Sequence, residues 1–296
     1  MTTHTPRASD WRAYGALLVA VLGISWSAVL VRWAAIPGPA SGFYRVLIAA
    51  AVLVPWRLAR GATRAVERRA VLLALAGGAF FAFDIALFNT AVLRTSAATA
   101  TLLGNNAPVF VGFGTWLFLR RRPPAAFWIG LGLALGGCAL IVAADLFSPR
   151  GSAAADVTGD LFALSCAVFW AAYMVTTEHV RAEMDTLTFS TLAITGSVLT
   201  LFVVCLLLRV PLAGYSGRTW ASLLGLGVIS QLVAYFALVY ALGHLPATVT
   251  SVGVLAQVPL TALIAVPALG ERIAAAQIAG GALVLAGIYV VNRPAK

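Results

Sequence analysis

The stretches GALLVAVLGISW (residues 15–26) and GDLFALSCAVFW (residues 159–170) decide the fold. Both are apolar runs ending in tryptophan, and Gly15, Leu17 and Trp26 fall in register with Gly159, Leu161 and Trp170 at an offset of 144. The register extends outward. Phe43 matches Phe189, Ala91 matches Ala241, Pro108 matches Pro259, and Gly130 with Gly137 match Gly280 with Gly287, at offsets of 146 to 151. Windows of apolar residue bounded by Pro, Gly and charge predict ten spans near 14–33, 39–59, 70–92, 96–118, 124–144, 159–180, 186–208, 219–243, 246–269 and 273–291. Five spans per unit is odd, so the second unit enters the membrane from the opposite side. An inverted repeat of this kind is the sequence mark of alternating access about a midplane site. The expected fold is therefore an all-α polytopic membrane protein of ten transmembrane helices, with repeats at 11–144 and 159–291 and an extracytoplasmic linker at 145–158.

Composition agrees with this reading. Of 296 residues 61% are hydrophobic and 10% charged, with a mean hydropathy of +0.95, whereas soluble domains are nearer half apolar and a quarter charged. Ten crossings use about 200 positions, which leaves no room for a second, water-soluble domain. The net charge of +10 sits in short arginine clusters between apolar runs and reads as topology rather than nucleic-acid binding. With the N-terminus inside, 13 Lys/Arg fall in cytoplasmic segments and six near outer ends, which places both termini in the cytoplasm. The only lysine is Lys296, so no P-loop exists. Cys138, Cys166 and Cys205 lie inside apolar runs and read as buried thiols, and the scattered His4, His179 and His244 make no metal set.

Further motifs carry a resemblance. They are Trp26-Ser27, RVLIAA from Arg45, AATATLLGNNAPVF (97–110) with Pro108, GDLFALSCAVFWAAY (159–173) and LGERI (269–273). In this order and repetition the chain resembles the EamA-type branch of the drug/metabolite transporter superfamily, over residues 11 to 291. One departure is that Arg121 stands where the repeat register puts the counterpart of Glu271. The resemblance implies a central cavity and export of small metabolites, amino acids and aromatic amino acids among them.

The candidate site comes from polar and aromatic residues at depth. Among ten acidic residues Asp84 alone sits well inside a span, where a charge costs about 2.5–3.5 kcal/mol on insertion scales. Arg45 is the one cation comparably placed. Counting 1.5 Å per residue from the outer span ends sets them at depths of ~9 Å for Arg45 and ~12 Å for Asp84, so a charge pair is expected. Asp84 also reads as a proton site or a site for a substrate ammonium group. Their counterparts in the second unit, Thr191 and Ala234, carry no charge.

Asn106 and Gln257 stand two residues before Pro108 and Pro259 at the midplane, beside carbonyls at Gly104 and Leu255 that proline frees. Gln231 is central in the eighth span. Trp26, Phe83, Trp170, Tyr173 and Tyr235 are the candidates for an aromatic cage. Trp11, Trp33, Trp56, Trp116, Trp128 and Trp220 fall near span ends as interfacial anchors. Gly132 with Gly136, and the pairs Gly77-Gly78 and Gly280-Gly281, are expected at close helix crossings. Glu178 reads as a solvated helix end.

With these features, what the resemblance implies is a secondary exporter of amino acids or similar small metabolites, expected in a bacterial inner membrane. Its partners would be a small-molecule substrate, the bilayer and protons. No catalytic residue, metal or cofactor is expected. Other readings are export of drugs or organic cations, an intramembrane enzyme using Asp84, which lacks a second carboxylate at depth, and a passive channel.

Overall fold

The computed structural model describes residues 11–61, 66–94, 103–146, 157–269 and 275–291, and the regular structure among them is helical. In chain order the helices are α1 (Trp11–Ser25), α2 (Ser27–Ala34), α3 (Gly38–Ala59), α4 (Arg68–Arg94), α5 (Ala107–Phe118), α6 (Ala125–Leu146), α7 (Val157–Arg181) and α8 (Thr186–Leu207). They continue with α9 (Gly217–Gly225), a π-helical segment (Leu226–Val233), α10 (Ala234–Leu242), α11 (Ala247–Val254), α12 (Gln257–Leu269) and α13 (Ala275–Val291). Six stretches are long and apolar enough to cross a membrane: 11–34, 38–59, 68–91, 161–181, 186–207 and 217–242. The other four expected windows hold shorter apolar helices at 107–118, 125–140, 247–261 and 278–291. Residues 147–156 of the expected linker (145–158), with Arg150, and the pair Glu271-Arg272 lie outside the described residues, while 145–146 and 157–158 belong to α6 and α7.

The helices break where chemistry requires it. Asn105-Asn106 and Leu255-Ala256 are turns separating helix pieces, each within four residues of a proline that lacks the N–H needed for the helical hydrogen bond four residues back. Both turns are closed by three-residue hydrogen bonds, Asn106 N to Leu103 O at 3.2 Å and Val109 N to Asn106 O at 3.0 Å, then Leu255 N to Val252 O at 3.1 Å and Val258 N to Leu255 O at 3.0 Å. The Leu255 carbonyl, expected to stand free, is thus taken by the amide of Val258. A third break falls at Trp26, between α1 and α2.

Packing interlocks residues on the two sides of the linker. Helix α4 packs mainly on α7 and α8, α3 on α8, α1 on α10, and α6 on α13. Helices α6 and α13 run antiparallel, because Gly130 faces the Gly287 carbonyl and Gly137 faces the Gly280 carbonyl so closely that a Cβ at any of Gly130, Gly137 or Gly287 would overlap backbone. Gly78 likewise admits the Ala193 carbonyl. Gly132 and Gly136, expected at a crossing, face open space. The crossing uses a seven-residue glycine spacing on the opposite side of the same helix.

Candidate functional site

Helical periodicity builds the centre of the bundle from a few faces. Cys166, Trp170 and Tyr173 recur at spacings of four and three on α7, and Phe81 lies three before Asp84 on α4, so each set shares a side of its helix. Phe81 is the hub of the aromatic group. Its ring centroid is 4.5 Å from Tyr235, 5.1 Å from Tyr173 and 6.3 Å from Trp170, and Trp170 stacks on Tyr173 at 5.5 Å and meets Tyr235 edge-on at 5.7 Å. Phe81, Tyr173 and Tyr235 are buried and Trp170 is half-buried. Trp170, Tyr173 and Tyr235 are sequence candidates; Phe81 takes the place expected of Phe83. Phe83, adjacent to Asp84 and so about 100° round the helix, turns outward against Phe169 at 5.2 Å and is 38% exposed.

Arg45 enters this cluster from α3, on the buried face that also carries Ser41, Ala49 and Leu53. Its guanidinium lies 5.0 Å over the Tyr235 ring, a cation–π contact in a dry setting. Nε donates to Gln231 Oε1 at 2.8 Å, Nη1 to Ser27 Oγ at 3.0 Å and Nη2 to the Ser230 carbonyl at 3.3 Å. Gln231 and Ser230 are on the π-helical segment, whose widened turn offsets carbonyls from the regular ladder. Ser230 Oγ in turn donates to the Gly23 carbonyl at 2.9 Å, and Ser25 beside the α1 break donates to the Gln257 carbonyl at 3.5 Å. Two irregular segments, the α1/α2 break and the π-helical stretch, therefore meet at one arginine, and Ser25 links the first of them to α12. That arrangement is tolerated at membrane depth only where protein encloses it or it lines a cavity.

Asp84 is half-buried on α4, beside the Cys166 thiol and within electrostatic reach of Arg45 and Tyr235. Arg45 and Asp84 do not close into a salt bridge: the arginine's named hydrogen bonds go to neutral acceptors, and the ion pair seen among the described residues is Arg121–Glu178. Next to Gln231 and Tyr235 a cavity of about 20 Å³ opens against α8, bounded also by Phe81, Tyr173 and Ser190. It has room for one or two waters. Ser190 Oγ is buried without a hydrogen-bond partner. Its signal in the sequence, a serine at depth, is too common to single out.

The remaining candidates lie elsewhere. Trp26 occupies the α1/α2 break, is 38% exposed and makes no ring contact among the described residues. Asn106 stands in the α4–α5 turn region and donates to the Leu103 carbonyl at 3.2 Å. Gln257 begins α12, and its carbonyl receives Ser25. Among the described residues no three His, Cys, Asp or Glu gather to hold a metal.

Glu178, read as a solvated helix end, is a correction. Its side chain is 13% exposed, Oε2 accepts the Ala247 amide at 2.8 Å at the start of α11, and Oε1 pairs with Arg121 at 3.4 Å. Nearby Arg181 donates to the Val239 carbonyl, Thr186 Oγ1 and the Met184 carbonyl, and Arg57 donates to Thr188 Oγ1 at 3.1 Å. This end of the bundle is closed by side chains that tie α3, α7, α8, α10 and α11 together.

Comparison with known proteins fits this arrangement. The chain matches the EamA-like transporter family over residues 11–143 and again over 157–293. It is 31% identical to the uncharacterized transporter YwfM of Bacillus subtilis (strain 168), over 70% of this chain and 68% of that one. It is 29% identical to the pseudopaline exporter CntI of Pseudomonas aeruginosa, over 80% and 81%, and 26% identical to a probable terminal-alkyne amino-acid exporter of Streptantibioticus cattleyicolor, over 79% and 76%. A crystal structure at 22% identity superposes with a TM-score of 0.78 across 96% of this chain and 98% of its own, a likeness of fold. The chain belongs to the EamA-like transporter family, as a multi-pass membrane protein.

Proposed function

We propose that the chain is a secondary exporter of amino acids or similar small metabolites in a bacterial inner membrane. It works by alternating access between two inverted five-helix repeats, residues 11–144 and 159–291, with both termini and the arginine-rich end in the cytoplasm. The observation that carries this reading is the central cluster: Arg45, Phe81 and Asp84 from before the linker meet Trp170, Tyr173, Gln231 and Tyr235 from after it, beside a small cavity. A site shared by two units changes its access when they rock against each other. The family match falling once on each half, the antiparallel glycine crossing of α6 and α13, and the names of two exporter relatives support the same view. An amino acid is larger than the present cavity, so loading requires the aromatic wall to part.

The test is counterflow into proteoliposomes of the purified chain, with a panel of labelled amino acids, amines and organic cations, with and without a pH gradient. Saturable exchange of one or more amino acids is expected. Flux that rises linearly with concentration replaces the carrier by a channel, and exchange confined to organic cations removes the substrate class.

A further inference from the structure

We propose that the substrate is recognised as a zwitterion, its carboxylate taken by the guanidinium of Arg45 and its ammonium group by the carboxylate of Asp84. The inference rests on the transporter reading above and adds to it the chemistry of recognition.

Arg45 is 6% exposed, and a buried cation is costly unless an anion faces it. Its fixed partners are neutral: Gln231 Oε1, Ser27 Oγ and the Ser230 carbonyl use three of its five N–H groups and hold the fork in place. Asp84 is the acidic group on the neighbouring α4, and among the described residues no ion pair joins the two. The fold thus brings a guanidinium and a carboxyl group to the same centre without direct contact between them. Arg45 lies over the Tyr235 ring, and Phe81, three residues before Asp84 on α4, packs 4.5 Å from the same ring.

The sign of the ligand follows. An anion without an ammonium group is repelled by Asp84, and a cation without a carboxylate is repelled by Arg45. A zwitterion satisfies both and brings no net charge into the membrane interior. A guanidinium suits a carboxylate better than an ammonium would, because its planar fork donates to two oxygens. Beside the pair, Phe81, Trp170 and Tyr173 offer ring surface for an apolar side chain, and the orphan hydroxyl of Ser190, 7% exposed in the adjoining cavity, marks polar capacity not yet used.

The experiment measures binding to the full-length purified chain by thermal shift, and transport by competition in counterflow. The probes are the twenty common amino acids, then for the best of them its methyl ester, its N-acetyl derivative and its decarboxylated amine. The ester and the amine each lack the carboxylate charge and the N-acetyl derivative lacks the ammonium, so each is expected to compete roughly 10- to 100-fold more weakly than the parent, the range of one charge-assisted contact. Arg45→Gln should erase the penalty for the ester and Asp84→Asn the penalty for the N-acetyl derivative. The wild-type series needs no variant, so a poorly folded mutant does not remove the test. Equal competition by amino acid, ester and amine overturns the role of Arg45 while amino-acid transport stands. Competition by amines or acids but by no zwitterion overturns the recognition scheme and leaves a transporter. No response to any probe overturns this inference and the proposed substrate class together.

Discussion

Phe81 and Phe83 show how much one helical step decides. Phe81 is 2% exposed and touches three other rings, so Phe81→Ala should lower stability by about 3–5 kcal/mol, whereas Phe83→Ala, at the outer surface, should cost far less. Thermal unfolding in detergent separates them. Trp170→Ala should raise the substrate's half-saturation about tenfold while Trp26→Ala leaves it within about twofold, because only Trp170 stacks in the cluster, and a lost ring contact of about 1.4 kcal/mol is tenfold. Equal effects in counterflow would remove the cage. Sequence equivalence of the two tryptophans did not carry over to equivalent surroundings, since α7 runs unbroken through Trp170 while the first helix breaks at Trp26. Phe81 was within reach of the sequence, as the residue three before Asp84. Ser190 and Ser230 were not, because their roles depend on what a distant helix leaves beside them. Outside the spans, Asp185 caps α8 through the amide and hydroxyl of Thr188, at 3.1 and 2.6 Å. Desolvation raises its pKa, but these hydrogen bonds outweigh it and hold the carboxyl below its usual value. A depressed folded pKa means the cap's stabilisation is whole above pH ~4 and fades as pH falls through the folded value. Asp185→Ala should therefore cost about 1 kcal/mol at neutral pH, and the gap to wild type should shrink in acid. A pH-independent difference in melting temperature would contradict this.

At the level of elements, the α6–α13 crossing is held by backbone against backbone. Gly137→Leu must push the Gly280 turn away, a strain of about 1–3 kcal/mol or more, while Gly136→Leu on the open face should be tolerated. Size-exclusion profiles and melting temperatures of the two variants check the contrast. The sequence carried this crossing in its repeat, Gly130 and Gly137 against Gly280 and Gly287, more faithfully than in the GxxxG spacing of Gly132 and Gly136. Spacing says which glycines share a helix face. It does not say which face meets a partner. The proline-linked breaks at 105–106 and 255–256 were equally legible, because proline acts on its own backbone. The π-helical segment was not: LGVISQLV contains no proline, and its widened turn accompanies tertiary contacts, with Arg45 held at Ser230 and Gln231 and Gly23 packed against Ile229.

For the whole molecule, the arginine-rich end is tied together by groups that no local pattern joins. Glu178 meets Ala247 and Arg121 across 69 and 57 positions of chain. Its carboxylate satisfies an amide at the start of α11, where helix N–H groups lack partners and negative charge is favoured. Ser190, four residues into α8, lines the cavity beyond this clasp. If the clasp holds this end shut, a thiol placed there by Ser190→Cys should react slowly with a charged methanethiosulfonate reagent, the native cysteines having been replaced by alanine. Adding Glu178→Gln removes the ion pair and weakens the cap, together about 1–2 kcal/mol, and should speed modification roughly 5- to 30-fold. Arg121→Gln alone should change it little, since that arginine is 73% exposed and such pairs contribute at most about 1 kcal/mol. Unchanged labelling in the Glu178 variant would mean that the closure rests on the Arg181 and Arg57 contacts instead, and that Glu178 serves α11 alone.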